Sequence, residues 1–326
     1  MLVVGIESSA HTFGVGVARN GKILANEKSM YRIGTTGMIP AKVAQFHSEN
    51  AGEVIERALA VARIEFEDIE GIGYTMGPGI GHCLQVGALS AKTIAKMLHI
   101  PIVPVNHAVG HVEIVRHISR LKDPLALYVS GGNSQILKKA PGAYPHYKVL
   151  GETFDIGIGN MLDSFAREMK LDPAWGSSVE KKAVGGRYMR MPYTVKGMDF
   201  SFTGLLTHSI KQIGKENGRD ICFSLQETAF SMLCEATERA LLLTNSSELE
   251  VCGGVAQNSR LREMLASIAK EHCARFGFVE KQYDADNGAM IAVVAEKMLK
   301  DGMAVKIGDC GILQRYRIDK ARLAGA

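Results

Sequence analysis

The chain has 326 residues, which is too long for one small hydrophobic core and suits one large domain or two of ordinary size. Hydrophobic residues make up 46% of the chain and charged residues 22%, a balance that excludes a predominantly disordered protein. The net charge of +4 permits an acidic partner such as RNA without requiring one, because the basic residues are dispersed along the chain.

The sequence predicts a cytoplasmic protein without a membrane anchor. Residues 1–7 form a short apolar stretch with no basic leader, so we expect no signal peptide. An apolar run of about 18 residues, the length that a membrane-spanning helix needs, is absent. The six cysteines form no CxxC pair, which favours reduced and mostly buried thiols.

The first part of the chain predicts a strand–turn–strand pattern followed by a strand, a glycine loop and a helix. A polar turn and the hairpin signal Asn20-Gly21 separate the first three strands. The helix is predicted from apolar residues spaced by three and four. The predicted strands are residues 2–6, 13–18, 22–27 and 69–74, the glycine loop is 77–81, and the helix is 85–98.

The same order of elements returns in the second part of the chain. A small polar turn at residues 130–134 again separates two strands, and Pro141-Gly142 marks a following bend. A strand, a glycine loop and a helix then come again. The predicted strands are residues 124–129, 135–138 and 249–252, the glycine loop is 253–258, and the helices are 260–270 and 287–299.

This internal repeat predicts a duplicated α/β fold with two lobes, each a mixed sheet with helices on both faces. We place the boundary near residue 123, which gives an N-terminal lobe of residues 1–123 and a C-terminal lobe of residues 124–326, with the last helices near a central cleft. Four glycine loops at matching places favour a nucleotide in that cleft, although any one of them alone could be a tight turn. The Rossmann and P-loop fingerprints are absent.

His107 and His111 are four residues apart in a segment that predicts a helix. Side chains at this spacing share a helix face and can bind one transition metal, although two unrelated histidines are the commoner explanation of the spacing alone. Ala108 stands where the HExxH metalloprotease motif has its glutamate, which argues against a peptidase. Asp286 is open to interpretation as a helix cap or a ligand, and Tyr128 as a core aromatic or an unusual phenolate ligand.

Several motifs, in order over essentially the whole chain, resemble one family. They occupy residues 5–12, 77–81, 105–111, 127–135, 151–163, 195–199, 224–227, 253–258 and 286–292. On these motifs the chain resembles the catalytic subunit of the tRNA N6-adenosine threonylcarbamoyltransferase system, which belongs to the KEOPS complex in archaea and eukaryotes. The GETFDIGIGN and LYVSGGN stretches resemble the archaeal/eukaryotic branch more than the bacterial one. The resemblance implies the actin/hexokinase/heat-shock ATPase fold.

The resemblance also implies a set of binding residues. One iron or zinc ion would be bound by His107, His111, Tyr128 and Asp286. An adenylate, or ATP or an ATP analogue in its place, would have its phosphate held by a backbone turn and its ribose hydroxyls by two acids. The implied nucleotide and substrate residues are Tyr128, Ser130, Gly131, Gly132, Asn133, Asp163, Gly176, Glu180 and Asn258. The chain departs from the family pattern before Glu180, where the loop has lost one glycine and gained Trp175.

The activity that the resemblance implies is metal-dependent acyl transfer. A threonylcarbamoyl group would pass from threonylcarbamoyl-AMP to N6 of the adenosine adjacent to the tRNA anticodon. AMP is a good leaving group, so orientation and polarisation of the donor carbonyl by a metal would suffice. The implied partners are tRNA and the other KEOPS subunits, which include a small atypical protein kinase, a dimerising subunit and a further small protein.

Other possibilities stay open from the sequence. The chain could be an ATPase or kinase of the same fold, a metalloprotease suggested only by the histidine spacing, or a non-catalytic scaffold. No general base can be assigned, and His11 and Glu7 are candidates for which structural roles are equally open. Residues 303–326 predict an exposed end, either a tail or the edge of a neighbouring domain.

Overall fold

The computed structural model describes residues 1–32, 38–140 and 145–323; the predicted bend at Pro141-Gly142 lies outside them. The strands are β1 (Leu2–Glu7), β2 (Thr12–Arg19), β3 (Lys22–Met30), β4 (Gly71–Gly77), β5 (Ile102–Asn106), β6 (Leu125–Val129), β7 (Ser134–Ala140), β8 (His146–Glu152), β9 (Val195–Lys196), β10 (Asp199–Phe200), β11 (Glu248–Cys252) and β12 (Arg275–Gly277). The helices are α1 (Pro40–Ala62), α2 (Gly81–Leu98), α3 (His107–Ile118), α4 (Ile158–Glu168), α5 (Gly176–Ala183), α6 (Thr203–Gln212), α7 (Gly218–Thr244), α8 (Ser259–Glu271), α9 (Lys281–Asp284) and α10 (Gly288–Lys300).

Two five-stranded mixed sheets repeat one arrangement. The first has the order β3-β2-β1-β4-β5, with β1 antiparallel to β2 and parallel to β4. The second has the order β12-β11-β6-β7-β8, with β6 antiparallel to β7 and parallel to β11. From the middle strand outwards, β1 therefore corresponds to β6, β2 to β7 and β4 to β11. This correspondence confirms the duplicated α/β fold that the sequence repeat predicts.

The first compact unit contains Met1–His117, Ala140–Tyr147 and Lys281–Ala326. Side chains alternate across its central strand, as the pleat requires. Leu2, Val4 and Ile6 enter the hydrophobic core shared with α1 and α2. On the opposite face, a Cβ on Gly5 would lie 2.1 Å from the backbone nitrogen of Ala292, so α10 approaches β1 at backbone distance. Glycine in the strand is what permits this approach.

The helix α10 belongs to the first unit, although it follows the second sheet in the sequence. The lobes predicted from the sequence, 1–123 and 124–326, differ from the compact units at this point, because they place α10 with the second sheet. The physical reason is the close contact just described, which recurs at Gly16, where a Cβ would lie 2.3 Å from the nitrogen of Ala289. Periodicity alone does not tell which sheet a helix will cover.

The segment from residue 303 to residue 323, predicted as an exposed end, has more than half of its residues exposed, but it contacts the first unit through a few buried side chains and backbone hydrogen bonds. Ile318, Ala321 and Leu323 are buried. The backbone nitrogen of Leu313 donates to the carbonyl of Met76 at 2.8 Å, and the Asn106 amide donates to the carbonyl of Tyr316 at 3.0 Å. The segment therefore lies across the ends of β4 and β5. Its buried residues follow neither a helical nor an alternating spacing, so no periodic pattern predicts these contacts.

The second compact unit contains Ile118–Lys139 and Lys148–Glu280. Its hydrophobic core joins the sheet to α4, α7 and α8, with Leu127 and Val251 from the strands and Phe165, Phe230 and Leu265 from the helices. All six cysteines are free and five of them are buried, as predicted. Among the described residues, no helix is long and apolar enough to cross a membrane.

Candidate functional site

Three parallel strands of the first unit bring polar side chains to one edge of the sheet. The register pairs Ile6 with Tyr74, so the next residues, Glu7 and Thr75, lie side by side at the carboxyl ends of β1 and β4. The Thr75 hydroxyl donates to Glu7 Oε2 at 2.6 Å. His107, the first residue of α3, directly follows β5, whose carboxyl end lies at the same edge.

The Glu7 carboxylate is fully buried and holds His107. Oε1 of Glu7 accepts from the backbone nitrogen of Ser9 at 2.6 Å, and Oε2 lies 3.0 Å from His107 Nδ1. Burial opposes ionisation of Glu7, but the charge and hydrogen bond of His107 outweigh it and lower the pKa of Glu7. An ionised Glu7 can only accept, so Nδ1–H of His107 is the donor and Nε2 is left for another partner.

The second nitrogen of His107 faces Asp286, and so does the imidazole of His111. The Oδ1 atom of Asp286 lies 3.6 Å from Nε2 of His107 and 3.3 Å from Nε2 of His111. Asp286 lies between α9 and α10, and Asn287 rather than Asp286 caps α10, because its side chain accepts from the nitrogen of Met290. The helix cap is thus supplied without Asp286, whose carboxylate points to the two histidines.

These three residues fit a metal ion. One ligand atom from each of His107, His111 and Asp286 lies within 4.8 Å of the others. Ligands about 2.1 Å from a single ion stand roughly 3.0 to 3.4 Å apart at right or tetrahedral angles, close to the 3.6 and 3.3 Å that separate Asp286 Oδ1 from the two imidazoles. A carboxylate on the far nitrogen of a ligating histidine, the position of Glu7, is the usual means of orienting such a ligand. Two imidazoles and a carboxylate suit iron or zinc.

The protonation of the cluster follows from its charges. Burial lowers the pKa of His107, but the charge and hydrogen bond of Glu7 outweigh it and raise that pKa to about 9. Burial lowers the pKa of His111 and keeps this imidazole neutral. Burial raises the pKa of Asp286, yet the hydrogen bond of His111 and the nearby imidazoles lower it overall. A metal that binds here meets a carboxylate, a neutral imidazole and one imidazole that must release a proton.

Two other residues predicted for this chemistry have different surroundings. Tyr128 is fully buried in β6 of the second unit, where it pairs with Gln135 and Cys252 in the sheet. Its role as a ligand stays a prediction. His11 follows β1 in the first unit, and its charge contributes to lowering the pKa of Asp286. Neither His11 nor Glu7 is assigned as a base by these contacts.

The predicted phosphate-binding turn lies at the carboxyl end of β6 in the second unit. The nitrogen of Ser130 donates to the carbonyl of Asn133 at 2.8 Å, which closes the turn. The turn packs on the beginning of α4, where the nitrogen of Gly159 donates to the carbonyl of Ser130. A Cβ on Gly132 would meet no atom within 4 Å, so packing within the described residues does not require glycine there. Close approach of a ligand to the backbone is a reason for it.

The remaining predicted nucleotide residues lie on elements that contact one another, from α4 through α5 and α8 back to the end of β6. Asp163 of α4 accepts from the nitrogen of Gly176 at 2.8 Å, and Glu180 of α5 accepts from the nitrogen of Ser259 at 2.9 Å. Asn258, beside Ser259, caps α8. A Cβ on Gly253, which precedes this cap, would lie 2.5 Å from the carbonyl oxygen of Val129, just before the turn. All eight residues from Ser130 to Asn258 that were predicted for the nucleotide therefore border one region of the second unit.

Sequence reasoning missed several residues that hold these groups. Thr75 and Ser9 fix the Glu7 carboxylate. Gln226 accepts from the Asn258 amide at 3.0 Å, and Ser259 donates its hydroxyl to Glu180 at 2.7 Å. Thr75 could have been found, because it lies near the end of a strand parallel to the one that ends in Glu7. The partner of Asn258 is separated from it by 32 residues, and no local pattern connects them.

Sequence comparisons place this arrangement among known proteins. A family model described as tRNA N6-adenosine threonylcarbamoyltransferase matches residues 21–293. The protein of that name from Encephalitozoon cuniculi is 42% identical, over 99% of this chain and 98% of the relative. A probable bifunctional tRNA threonylcarbamoyladenosine biosynthesis protein from Thermoplasma volcanium is 45% identical over 98% of this chain. This chain spans only 60% of the length of that bifunctional relative.

Solved structures confirm the predicted fold. Full-length HypF in its phosphate- and nucleotide-bound form superimposes with a TM-score of 0.63 at 15% identity, over 92% of this chain and 46% of that one. The activator of 2-hydroxyisocaproyl-CoA dehydratase from Clostridium difficile, with bound ADPNP, gives a TM-score of 0.55 at 14% identity, over 93% of this chain and 97% of that one. Both belong to the actin-like ATPase fold that the sequence motifs imply.

Proposed function

Because this chain belongs to the tRNA N6-adenosine threonylcarbamoyltransferase family, we propose that it transfers a threonylcarbamoyl group from threonylcarbamoyl-AMP to a tRNA adenosine. The acceptor is N6 of the adenosine adjacent to the anticodon. The observation that carries the proposal is the match to a named transferase over 99% of this chain and 98% of the relative at 42% identity. The two Thermoplasma relatives named as bifunctional are longer, and this chain spans 60% of their length.

The nucleotide end of the donor binds to the second unit in this proposal. The backbone of Gly131 and Gly132 approaches the phosphate oxygens, because glycine allows a ligand close to the main chain and the turn sits at the beginning of α4, whose dipole favours anions. Asp163 and Glu180 accept hydrogen bonds from ribose hydroxyls, and Asn258 holds the loop beside them through its cap. ATP or an analogue can occupy the same groups, because it shares the adenosine and the phosphate.

The metal site of the first unit would be formed by His107, His111 and Asp286, with Tyr128 added by the family resemblance. An iron or zinc ion held there supplies a Lewis acid for the donor carbonyl. Glu7 keeps His107 in the tautomer that leaves Nε2 free for coordination, and its burial behind the imidazole fits this role better than proton transfer to a substrate.

The reaction itself is a substitution at the carbamoyl carbon. A bond forms from adenosine N6 to that carbon, the bond from the carbon to the phosphate oxygen breaks, and AMP leaves with the electron pair while N6 loses a proton. The amine is a poor nucleophile, so holding both substrates in place supplies much of the acceleration. The partners proposed are tRNA and the KEOPS subunits, among them the small atypical kinase and the dimerising subunit, and the proposed compartment is the cytoplasm.

The test is transfer from supplied threonylcarbamoyl-AMP to unmodified tRNA, with the partner subunits present. Wild type should transfer the group, and His107→Ala should lose both bound metal and transfer while it keeps nucleotide binding. His208→Ala, a histidine of α6 remote in sequence from both sites, is the control and should keep all three. Absence of transfer by the wild type, with ATP hydrolysis detected instead, would favour an ATPase or kinase. Transfer that survives loss of the metal would remove the metal from the mechanism.

A further inference from the structure

Lys28 lies on the face of the first sheet that packs against residues 282–289, the Asp286 segment. The register pairs Lys28 with Gly14 and Asn26 with Gly16, and side chains two residues apart in a strand share a face. Asn26 shows which face this is: its amide donates to the carbonyl of Gln282 at 3.2 Å, and its Oδ1 accepts from the nitrogen of Ala289 at 3.3 Å. Residues 282 and 289 bracket Asp286, so Lys28 faces the same segment.

The ammonium group of Lys28 has no partner among the residues that the structure describes. Within residues 1–32, 38–140 and 145–323 it makes no hydrogen bond and no ion pair, although it is half-buried. Burial lowers the pKa of Lys28, and the attraction of Asp286 opposes that shift. The Asp286 carboxylate is already directed at His111 and His107, at 3.3 and 3.6 Å. A partly desolvated cation without a partner is unfavourable, and a bound anion would relieve it.

We infer that Lys28 binds the carboxylate of the threonyl part of the donor. The inference rests on the proposed function, because it takes the donor from there. The donor has two anionic groups, a phosphate and a carboxylate. The proposed metal site, which includes Asp286, lies in the same unit as Lys28 and would hold the carbamoyl end of the donor, to which the threonyl carboxylate is attached. A compact ammonium on a flexible stem suits one carboxylate, and the contact selects donors that carry an amino acid over other carbamoyl adenylates.

The experiment measures binding rather than turnover. Two non-reactive sulfamide analogues of the donor are compared by calorimetry on the metal-loaded protein, one with the threonyl carboxylate and one in which a methyl group replaces it. Wild type should bind the carboxylate analogue about tenfold more tightly or better, as a charge-assisted hydrogen bond predicts. Lys28→Met should lose this preference and bind both analogues like the methyl compound, whereas Lys28→Arg should retain part of it.

Lys22→Met, at the exposed start of the same strand, is the matched control and should keep the preference. Equal affinity of the wild type for both analogues would overturn the inference, and so would a preference that survives in Lys28→Met. Equally weaker binding of both analogues by Lys28→Met would mean that Lys28 only supports the segment that carries Asp286, and it would also overturn the inference. Transfer by the wild type is assayed separately, so its absence counts against the proposed function and leaves the binding result intact.

Discussion

Glu7 Oε2 lies 3.0 Å from His107 Nδ1, and both side chains are buried. The contact joins the end of β1 to the start of α3, 100 residues later in the chain. It leaves the other imidazole nitrogen directed at Asp286. Glu7, which the sequence offered only as a possible base, therefore lies behind a candidate metal ligand, where it sets the tautomer and orientation of the imidazole.

Glu7→Gln should lower metal affinity by about 10- to 100-fold, because an amide neither fixes the tautomer of His107 nor makes the imidazole more basic. The measurement is metal affinity by competition with a chelator, together with a thermal unfolding curve. Glu27→Gln, which alters an ion pair between Glu27 of β3 and Arg57 of α1, is the control and should keep the affinity. Unchanged affinity in Glu7→Gln would show that the contact with His107 only supports the fold.

Trp175 should report nucleotide binding through its fluorescence. It is the single tryptophan of the chain, it is 41% exposed, and it directly precedes Gly176, whose nitrogen donates to Asp163. Binding at Asp163 should change the surroundings of the indole, so AMP should alter the emission with a saturating dependence on concentration. Asp163→Ala should abolish this change at the same concentrations. An emission that stays constant while calorimetry detects bound AMP would place the nucleotide elsewhere.

Asp155 should stabilise the fold only while its carboxylate is ionised. Burial raises its pKa, but the backbone N–H groups of Ile156, Phe202 and Thr203 outweigh burial and lower it below 3.8. Because the folded state holds the carboxylate at a lower pKa than the unfolded chain, its contribution is complete at neutral pH and is lost as the pH falls through the folded value.

The Asp155→Asn variant should therefore be less stable than the wild type at pH 7, and the difference should shrink as the pH falls below about 4. Urea unfolding at a series of pH values measures it. The exposed Asp309, changed to Asn, should show little difference at any pH. If Asp155→Asn is less stable by the same amount at every pH, the substitution disturbs the conformation of the loop, and loss of the charge is not the cause.

Two glycine-to-alanine changes should act in opposite directions. Gly5→Ala would place a Cβ 2.1 Å from the nitrogen of Ala292 and should destabilise the protein by about 3 kcal/mol, because neither backbone can move aside. Gly52, inside α1, has no atom within 4 Å of such a Cβ, so Gly52→Ala should stabilise by up to about 1 kcal/mol. Urea unfolding compares them. Similar effects of the two changes would argue against the close packing of α10 on β1.

The motifs of the sequence were sufficient to identify the family. The family model and the 42% identity to relatives of the archaeal/eukaryotic branch confirm that resemblance, and the superpositions confirm the fold. The repeat of strand, polar turn and glycine loop was visible because each of these depends on neighbours in the chain. The HxxxH spacing likewise placed His107 and His111 on one helix face, since a helix fixes which residues share a side.

Contacts between distant segments were decided only by the tertiary structure. The cap of α10 falls to Asn287, and Asp286 is thereby left to face the histidines, which spacing could not decide. The position of α10 on β1 depends on glycine backbones, and the contacts of residues 303–323 depend on a few side chains, such as Ile318 and Leu323, that become buried only in the fold. Local sequence determines propensity and periodicity. The position of Lys28 beside Asp286, without a partner among the described residues, arises only when β3 and residues 282–289 come together in the fold.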